Sequence, residues 1–288
     1  MDPRVKPGGD ENGGVRQVPV ELTDAQFERY ARHLILDEVG EEGQARLMQA
    51  RVLVVGAGGL GSPLLLYLAA AGVGTIGIAD DDEVSLSNLQ RQIVHSTQAL
   101  GEAKVKSARR TLASVNPETS IVIHDTRLVH SNVLEIIEGY DIVADGSDNF
   151  ATRYLLTDAC FQARKILVSG SLLRFEGQLS TFKPWTGGPC YRCLFAEAPP
   201  PDLIPRCEEA GILGSVAGVI GTVQATEILK EILGLGQSLS GRLMIYDALS
   251  AEFRTIRFKP DPNCRLCGPK ATIRDLSEHK EKAPSGTT

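Results

Sequence analysis

Short apolar runs alternate along this chain with longer stretches in which apolar residues recur every three or four positions. Val52-Leu53-Val54-Val55 has no polar break and is rich in β-branched side chains, the mark of a strand covered on both faces. TIGIAD (75–80), SIVIHD (120–125), DIVADG (141–146) and ILVSG (166–170) predict further strands. Between them SPLLLYLAAAGV, GEAKVKSARRTLASVN and NFATRYLLTDAC predict helices. Upstream, TDAQFERYARHLIL follows an N-cap residue type at Thr23 and sets Phe27, Tyr30, Leu34 and Ile35 on one helical face, with Arg29 and Arg32 three apart. After residue 170 the period shortens to two in EGQLSTFK, RLMIYDA and EFRTIRFK, which predicts antiparallel, half-exposed strands. GSVAGVIGTVQATEILKEILG reads as a long helix with small residues on one side, too polar to cross a membrane and so a packed core or interface helix. The expected class is α/β, a Rossmann-like doubly wound and largely parallel sheet extended by antiparallel strands.

Composition narrows the partners. With 288 residues and a formal net charge of -6, the chain lacks the basic face that a nucleic-acid partner held through phosphates requires. No apolar run has the length of a membrane span, and the N-terminus lacks the zones of a secretory signal, so a cytoplasmic protein is expected. Residues 1–20, with Gly8-Gly9, Gly13-Gly14 and scattered prolines, are expected to be a disordered tail, and the charged segment 269–288 a flexible one.

The first strand ends in Gly56-Ala57-Gly58-Gly59-Leu60-Gly61, a Gly-x-Gly-x-x-Gly turn that brings backbone N–H groups and a helix N-terminus toward phosphate. Asp80, ending the second strand, is placed to accept ribose hydroxyls, which leaves NAD(H), FAD and ATP open. No Gly-x4-Gly-Lys-Ser/Thr occurs, so a P-loop is excluded as an ATP site. Backbone amides largely satisfy a pyrophosphate, whereas a triphosphate needs added cations, and Arg91, Lys104 and Arg32 are available. Asp148 reads either as a metal carboxylate at the end of the fourth strand or as the N-cap of the next helix. His95 reads as a packed or surface histidine. Cys190-x-x-Cys193 and Cys264-x-x-Cys267 supply the four thiolates of a closed structural zinc site. Cys160 reads as core packing, and Cys207, after the proline-rich APPPDLIP, as a thiol in an exposed loop.

RVLVVGAGGLGS, DDDEVSLSNLQRQ, GEAKVKSA, DGSDNFATR, CYRC with CRLC, and CEEAGILG occur in order at fitting distances, and residues 21–268 resemble the MoeB/ThiF/HesA branch of the ubiquitin-activating enzyme superfamily, nearest to MoeB. The resemblance implies a single adenylating domain that uses ATP, Mg²⁺ and structural Zn²⁺ to activate the C-terminal glycine of a ubiquitin-fold sulfur carrier as an acyl-adenylate, releasing pyrophosphate. By resemblance Gly56, Gly58, Gly59 and Gly61 line the nucleotide, Asp80 holds the ribose, Asn88, Arg91 and Gln92 lie along the triphosphate, Lys104 lies near the α-phosphate and Asp148 holds Mg²⁺. Asp82 matches an acid of the same loop. Arg32 matches an arginine that family homodimers supply across their interface, and Cys207 matches a cysteine that some relatives link covalently to the carrier. A MoaD-like carrier in molybdopterin synthesis is expected ahead of a ThiS-like carrier in thiamine synthesis, with sulfur arriving on a separate donor protein. The alternatives from other classes are an NAD-dependent oxidoreductase and a non-catalytic scaffold.

Overall fold

The computed structural model describes residues 21–199 and 211–280. Helix α1 (Asp24–Leu34) opens on a capping box in which Thr23 accepts from the Gln26 N–H and the Gln26 side chain accepts from the Thr23 N–H. There follow α2 (Gly40–Gln49), β1 (Arg51–Val55), α3 (Gly61–Ala70), β2 (Thr75–Ala79), α4 (Lys104–Val115), β3 (Ser120–His124), α5 (Val133–Glu138), β4 (Ile142–Asp145) and α6 (Phe150–Ala163). The remaining elements are β5 (Ile166–Leu173), β6 (Glu176–Phe182), α7 (Tyr191–Leu194), α8 (Gly214–Leu233), β7 (Arg242–Asp247) and β8 (Glu252–Arg257). The strands form one sheet in the order β3-β2-β1-β4-β5-β6-β7-β8, parallel from β3 to β5 and antiparallel beyond. The expected class and its antiparallel extension are both present.

Alternation along β1 sorts its side chains between two cores. Val52 and Val54 pack with Leu64, Leu68, Leu112 and Ile228 on one face, while Leu53 and Val55 pack with Ile137, Leu156 and Leu167 on the other. β1 is flanked by β2 and β4, with Val55 level with Ala79 and Asp145, so the carboxyl ends of three strands open together at the point where strand order reverses. Ligands of open α/β sheets bind in that crevice.

The long helix α8 lies across the glycine turn. A Cβ added at Gly221 would lie 2.5 Å from the Leu60 carbonyl oxygen, so the small residue is required by close approach. Farther along, Gln224 donates to the carbonyls of Asp145 and Val168 at 3.0 and 2.9 Å, tying α8 to β4 and β5.

Two expectations are corrected. β6 alternates in sequence but is buried at Gly177 and from Leu179 to Phe182, because Gly177 and Glu227-bonded Thr181 meet α8 while Phe182 packs edge-on against Tyr191. Part of the segment beyond residue 268 is packed: Ala271, Ile273 and Leu276 are buried, and His279 reaches the buried Asp158 carboxylate at 2.7 Å. The N-terminal segment 1–20, the last residues 281–288 and Cys207 lie outside the described residues.

Candidate nucleotide site and four-cysteine centre

The glycine turn is fixed by contacts that leave no room for larger residues at two of its positions. Gly56 has φ +94°, and a Cβ there would lie 2.9 Å from the Gly146 carbonyl oxygen. At Gly61 a Cβ would lie 1.8 Å from the Gly56 carbonyl oxygen. Gly58 differs: the nearest atom to an added Cβ is the Gln92 amide nitrogen at 3.6 Å, so the turn is open on that side.

Asp80 closes the turn from β2. Its carboxylate accepts the Ala57 N–H at 2.7 Å and the Asp82 N–H at 2.9 Å. Burial pushes its pKa up, with nearby Lys104 pulling the other way. Lys104, the first residue of α4, is 5% exposed and therefore no solvated surface lysine. Its ammonium reaches Asp82 Oδ2 at 2.7 Å, and its backbone N–H donates to the Asp82 carbonyl at 2.9 Å.

The loop after β2 is organised around Asn88. Its Oδ1 accepts from Arg91 Nη2 at 2.9 Å and Gln92 Nε2 at 3.0 Å, so the three residues form one polar cluster. The cluster adjoins the turn, since the Arg91 stem lies 3.5 Å from the Cβ position of Gly59. Gln92 Oε1 is buried and has no hydrogen-bond donor among the described residues, while the amide nitrogen of the same side chain is the group nearest Gly58.

Asp148 lies exposed beyond the carboxyl end of β4, its side chain meeting only the Asn149 amide at 3.5 Å among the described contacts. It does not cap α6. Asn149 does, accepting the Thr152 N–H at 2.9 Å, so the reading of Asp148 as an N-cap is corrected and its carboxylate is available to a cation.

Residues that sequence reasoning passed over brace this edge. Asp145, wholly buried, accepts from the Ser147 N–H and hydroxyl at 3.0 and 2.6 Å and from the Ser169 hydroxyl at 2.7 Å, and lies 3.2 Å from Arg153 Nε. Arg153 also donates to the carbonyls of Ser147 and Gly170, both at 3.0 Å. The loop bearing Asp148 is thus clamped at its base. Both residues stand inside the run DGSDNFATR, a charged pair eight apart across a strand-to-helix turn, which was the available signal.

Arg32 is exposed and is not brought to this crevice. Helix α1 is held at the opposite end of α4: Tyr30 bonds Asn116 at 2.9 Å and Arg29 bonds the Val115 carbonyl at 3.2 Å. At a rise of ~1.5 Å per residue, the helix between Lys104 and Val115 separates the two ends by roughly 16 Å.

The four cysteines converge. Cys190 Sγ lies 3.4 Å from Cys264 and 3.8 Å from Cys193, and Cys193 lies 3.3 Å from Cys267. These separations exclude disulfides and approach the ~3.8 Å between sulfurs on a tetrahedral ion with Zn–S bonds of about 2.3 Å. Hydrogen bonds from Cys190 and Cys267 hold the Cys193 thiol well below its usual range. The cluster is compatible with zinc, and Leu266 and Ile273 enclose it. Beside it, Arg192 grips buried Asp158 with two bonds, 2.7 and 2.8 Å, fixing α7 to α6. Cys160 is buried in the second core, where burial pushes its thiol up.

The model of the ThiF family matches residues 30–266, most of the chain. The chain belongs to the ThiF family. It is 49% identical over 247 residues to the SAMP-activating enzyme E1 of Haloferax volcanii, a match covering 86% of this chain and 91% of that one. It is 46% identical over 262 residues to the sulfur carrier protein adenylyltransferase of Thermus thermophilus, covering 90% and 97% respectively. Against the adenylyltransferase and sulfurtransferase MOCS3 of Aedes aegypti the identity is 47%, covering 90% of this chain but 60% of the relative. Among solved structures, E. coli MccB shares the fold, with TM-score 0.76 at 20% identity over 87% of this chain and 75% of that one. No helix among the described residues is long and apolar enough to cross a membrane.

Proposed function

We propose that this ThiF-family chain is an ATP-dependent adenylyltransferase that activates the C-terminal glycine of a ubiquitin-fold sulfur carrier of the MoaD type. The observation that carries the reading is the meeting, around one glycine turn, of Asp80, which accepts the Ala57 N–H, with two cations: buried Lys104, paired with Asp82, and Arg91 held by Asn88. Relatives named as a sulfur carrier protein adenylyltransferase and a SAMP-activating E1, matched over nearly their whole length, support the same class of reaction.

The carrier's terminal carboxylate attacks the α-phosphorus of ATP. One oxygen–phosphorus bond forms, the bond to the bridging oxygen breaks, and pyrophosphate departs with the electron pair. Two anions must approach, so the residues act by neutralisation and positioning. Lys104 and Arg91 offset the phosphate charge, Asp80 fixes the ribose and the open face at Gly58 admits the phosphates. No general base is needed, because a terminal carboxyl is ionised near neutral pH. Asp148, exposed and nearly without partners, suits Mg²⁺, which when bound neutralises triphosphate charge. The four thiolates suit Zn²⁺ in a structural role, since a closed tetrahedral set leaves no position for substrate.

The active form in this reading is a homodimer in which each site receives Arg32 from its neighbour. Two facts support it: Arg32 is far from its own crevice, and it is followed by Ile35 and Leu36, which are 70% and 48% exposed. ATP–pyrophosphate exchange with Mg²⁺, run separately with MoaD-like and ThiS-like carriers ending in Gly-Gly, tests the proposal. Exchange with the MoaD-like carrier is expected, and exchange only with the ThiS-like carrier would move the protein to thiamine synthesis. Asp148→Ala is expected to abolish exchange with fold and zinc content intact. Undiminished exchange in that variant would refute the metal assignment.

A further inference from the structure

We infer that His95 is a positioning residue that locks the glycine turn, the Asn88 loop and the Lys104 helix into one rigid unit, an inference that rests on the adenylation reading above. Three chain segments meet at this side chain. Its Nε2 lies 2.9 Å from the Ala57 carbonyl oxygen in the glycine turn. Its Nδ1 lies 2.9 Å from the Ser107 hydroxyl on α4, one turn after Lys104. Its backbone N–H donates to the Gln92 carbonyl at 3.0 Å, at the end of the polar loop.

The partners fix one proton, and burial decides against a second. A carbonyl only accepts, so Nε2 carries the proton, and Nδ1 then accepts from the Ser107 hydroxyl. His95 is 8% exposed, and burial, with Lys104 adding to it, opposes a second proton and outweighs the Ala57 carbonyl and Glu102, which favour one. The side chain is therefore a neutral, two-ended clamp and has no spare nitrogen for chemistry. Ala57 is held at both ends of its own backbone, its N–H by Asp80 and its C=O by His95. That residue lies between Gly56 and Gly58, where phosphate would approach. Without the imidazole, the turn loses its link from the Ala57 carbonyl to Ser107 on α4, and the remaining route from Ala57 to Lys104 runs through Asp80 and Asp82 in the exposed loop after β2.

The test compares His95→Leu, which fills the space without polar groups, with His95→Gln, whose amide keeps an N–H directed at Ala57. In pyrophosphate exchange His95→Leu is expected to raise the KM for ATP about tenfold or more, with kcat also reduced and the KM for carrier unchanged. His95→Gln is expected to recover most of the loss. Thermal unfolding and zinc content identify any variant that simply fails to fold. Nitrogen-15 spectra of the wild-type imidazole are expected to show protonated Nε2 and bare Nδ1 at pH 7. An unchanged KM for ATP in a folded His95→Leu protein, an equal loss in both variants, or an imidazolium spectrum would overturn the inference. Absence of exchange in the wild type would instead overturn the adenylation reading. In that case Mg²⁺–ATP binding by the same two variants decides the role of His95: loss in Leu with recovery in Gln supports it, and equal affinities overturn it.

Discussion

Replacing Gly58 by alanine separates the stability of the glycine turn from its use. Gly58 is not among the glycines with left-handed φ, and its added Cβ would meet nothing closer than 3.6 Å, so the folded state accepts the methyl group without strain. Gly→Ala at such a position stabilises by about 0.4–1 kcal/mol through the unfolded chain, which for a chain of this size raises Tm by roughly 1–3 °C. The same methyl occupies the side on which phosphate would approach the turn. Losing one charge-assisted bond from backbone N–H to phosphate costs about 1.5–3 kcal/mol, or about 10- to 150-fold in the Kd for Mg²⁺–ATP. Calorimetric titration with ATP and thermal unfolding on one preparation read both effects. Gly61→Ala is the contrast: its Cβ would lie 1.8 Å from the Gly56 carbonyl oxygen, both backbone positions, so Tm falls by about 6–12 °C for a cost on the order of 3 kcal/mol. A Gly58→Ala protein that binds ATP like the wild type would refute the placement of phosphate at this turn, and one that unfolds several degrees lower would refute the open space at Gly58.

Other expected outcomes concern the cysteines, the dimer and pH. Cys193→Ser should lower zinc below one ion per chain by elemental analysis and lower Tm, since Leu266 and Ile273 pack around the sulfurs; full zinc retention would contradict the four-thiolate set. Arg32→Ala should slow exchange with the dimer intact by light scattering, and mixed dimers with Asp148→Ala should regain activity at one site in two, whereas no rescue would place Arg32 in its own chain's site. Burial lowers the pKa of His95 and His124, so below about pH 6.5 the unfolded chain binds protons that the folded one refuses, and stability falls with pH. Burial raises that of Asp80, so its contribution declines as pH rises from about 3.8 into the carboxylate range. Urea midpoints at pH 5.5 and 7.5 should differ in the direction set by the histidines, and His124→Phe should lessen the difference.

What could be read from the sequence was whatever rests on local pattern. The strand runs, the glycine turn and the two Cys-x-x-Cys pairs are determined by neighbours a few residues away. The braces were not legible, because each joins segments far apart in sequence: His95 meets Ala57 38 positions back, and Asp145 meets Ser169 24 positions on. A histidine in a polar loop carries no mark of the carbonyl it will hold. The burial of β6 likewise comes from α8 and Tyr191, outside its own alternation. Packing beyond residue 268 has no sequence signal because Ala271, Ile273 and Leu276 are set among charged residues with no regular period. Asp148 and Asn149 are both good caps, and the helix start at Phe150 assigns the role to Asn149.

The same edge of the sheet holds two kinds of polar residue, and their partners tell them apart. Asp145 and His95 have their side-chain capacity taken up by serines, an arginine and a backbone carbonyl. Neither is left to move a proton. Asp148 keeps an exposed carboxylate, its side chain meeting only the Asn149 amide among the described contacts. A reaction that needed proton transfer would require a titratable group free to exchange with substrate here; the buried candidates are committed to holding the loops, and the exposed one, Asp148, is the carboxylate assigned to the cation in the proposed reading. Joining an ionised carboxylate to a phosphate needs fixed cations and a rigid turn instead, which is the demand that the division of labour at this edge meets.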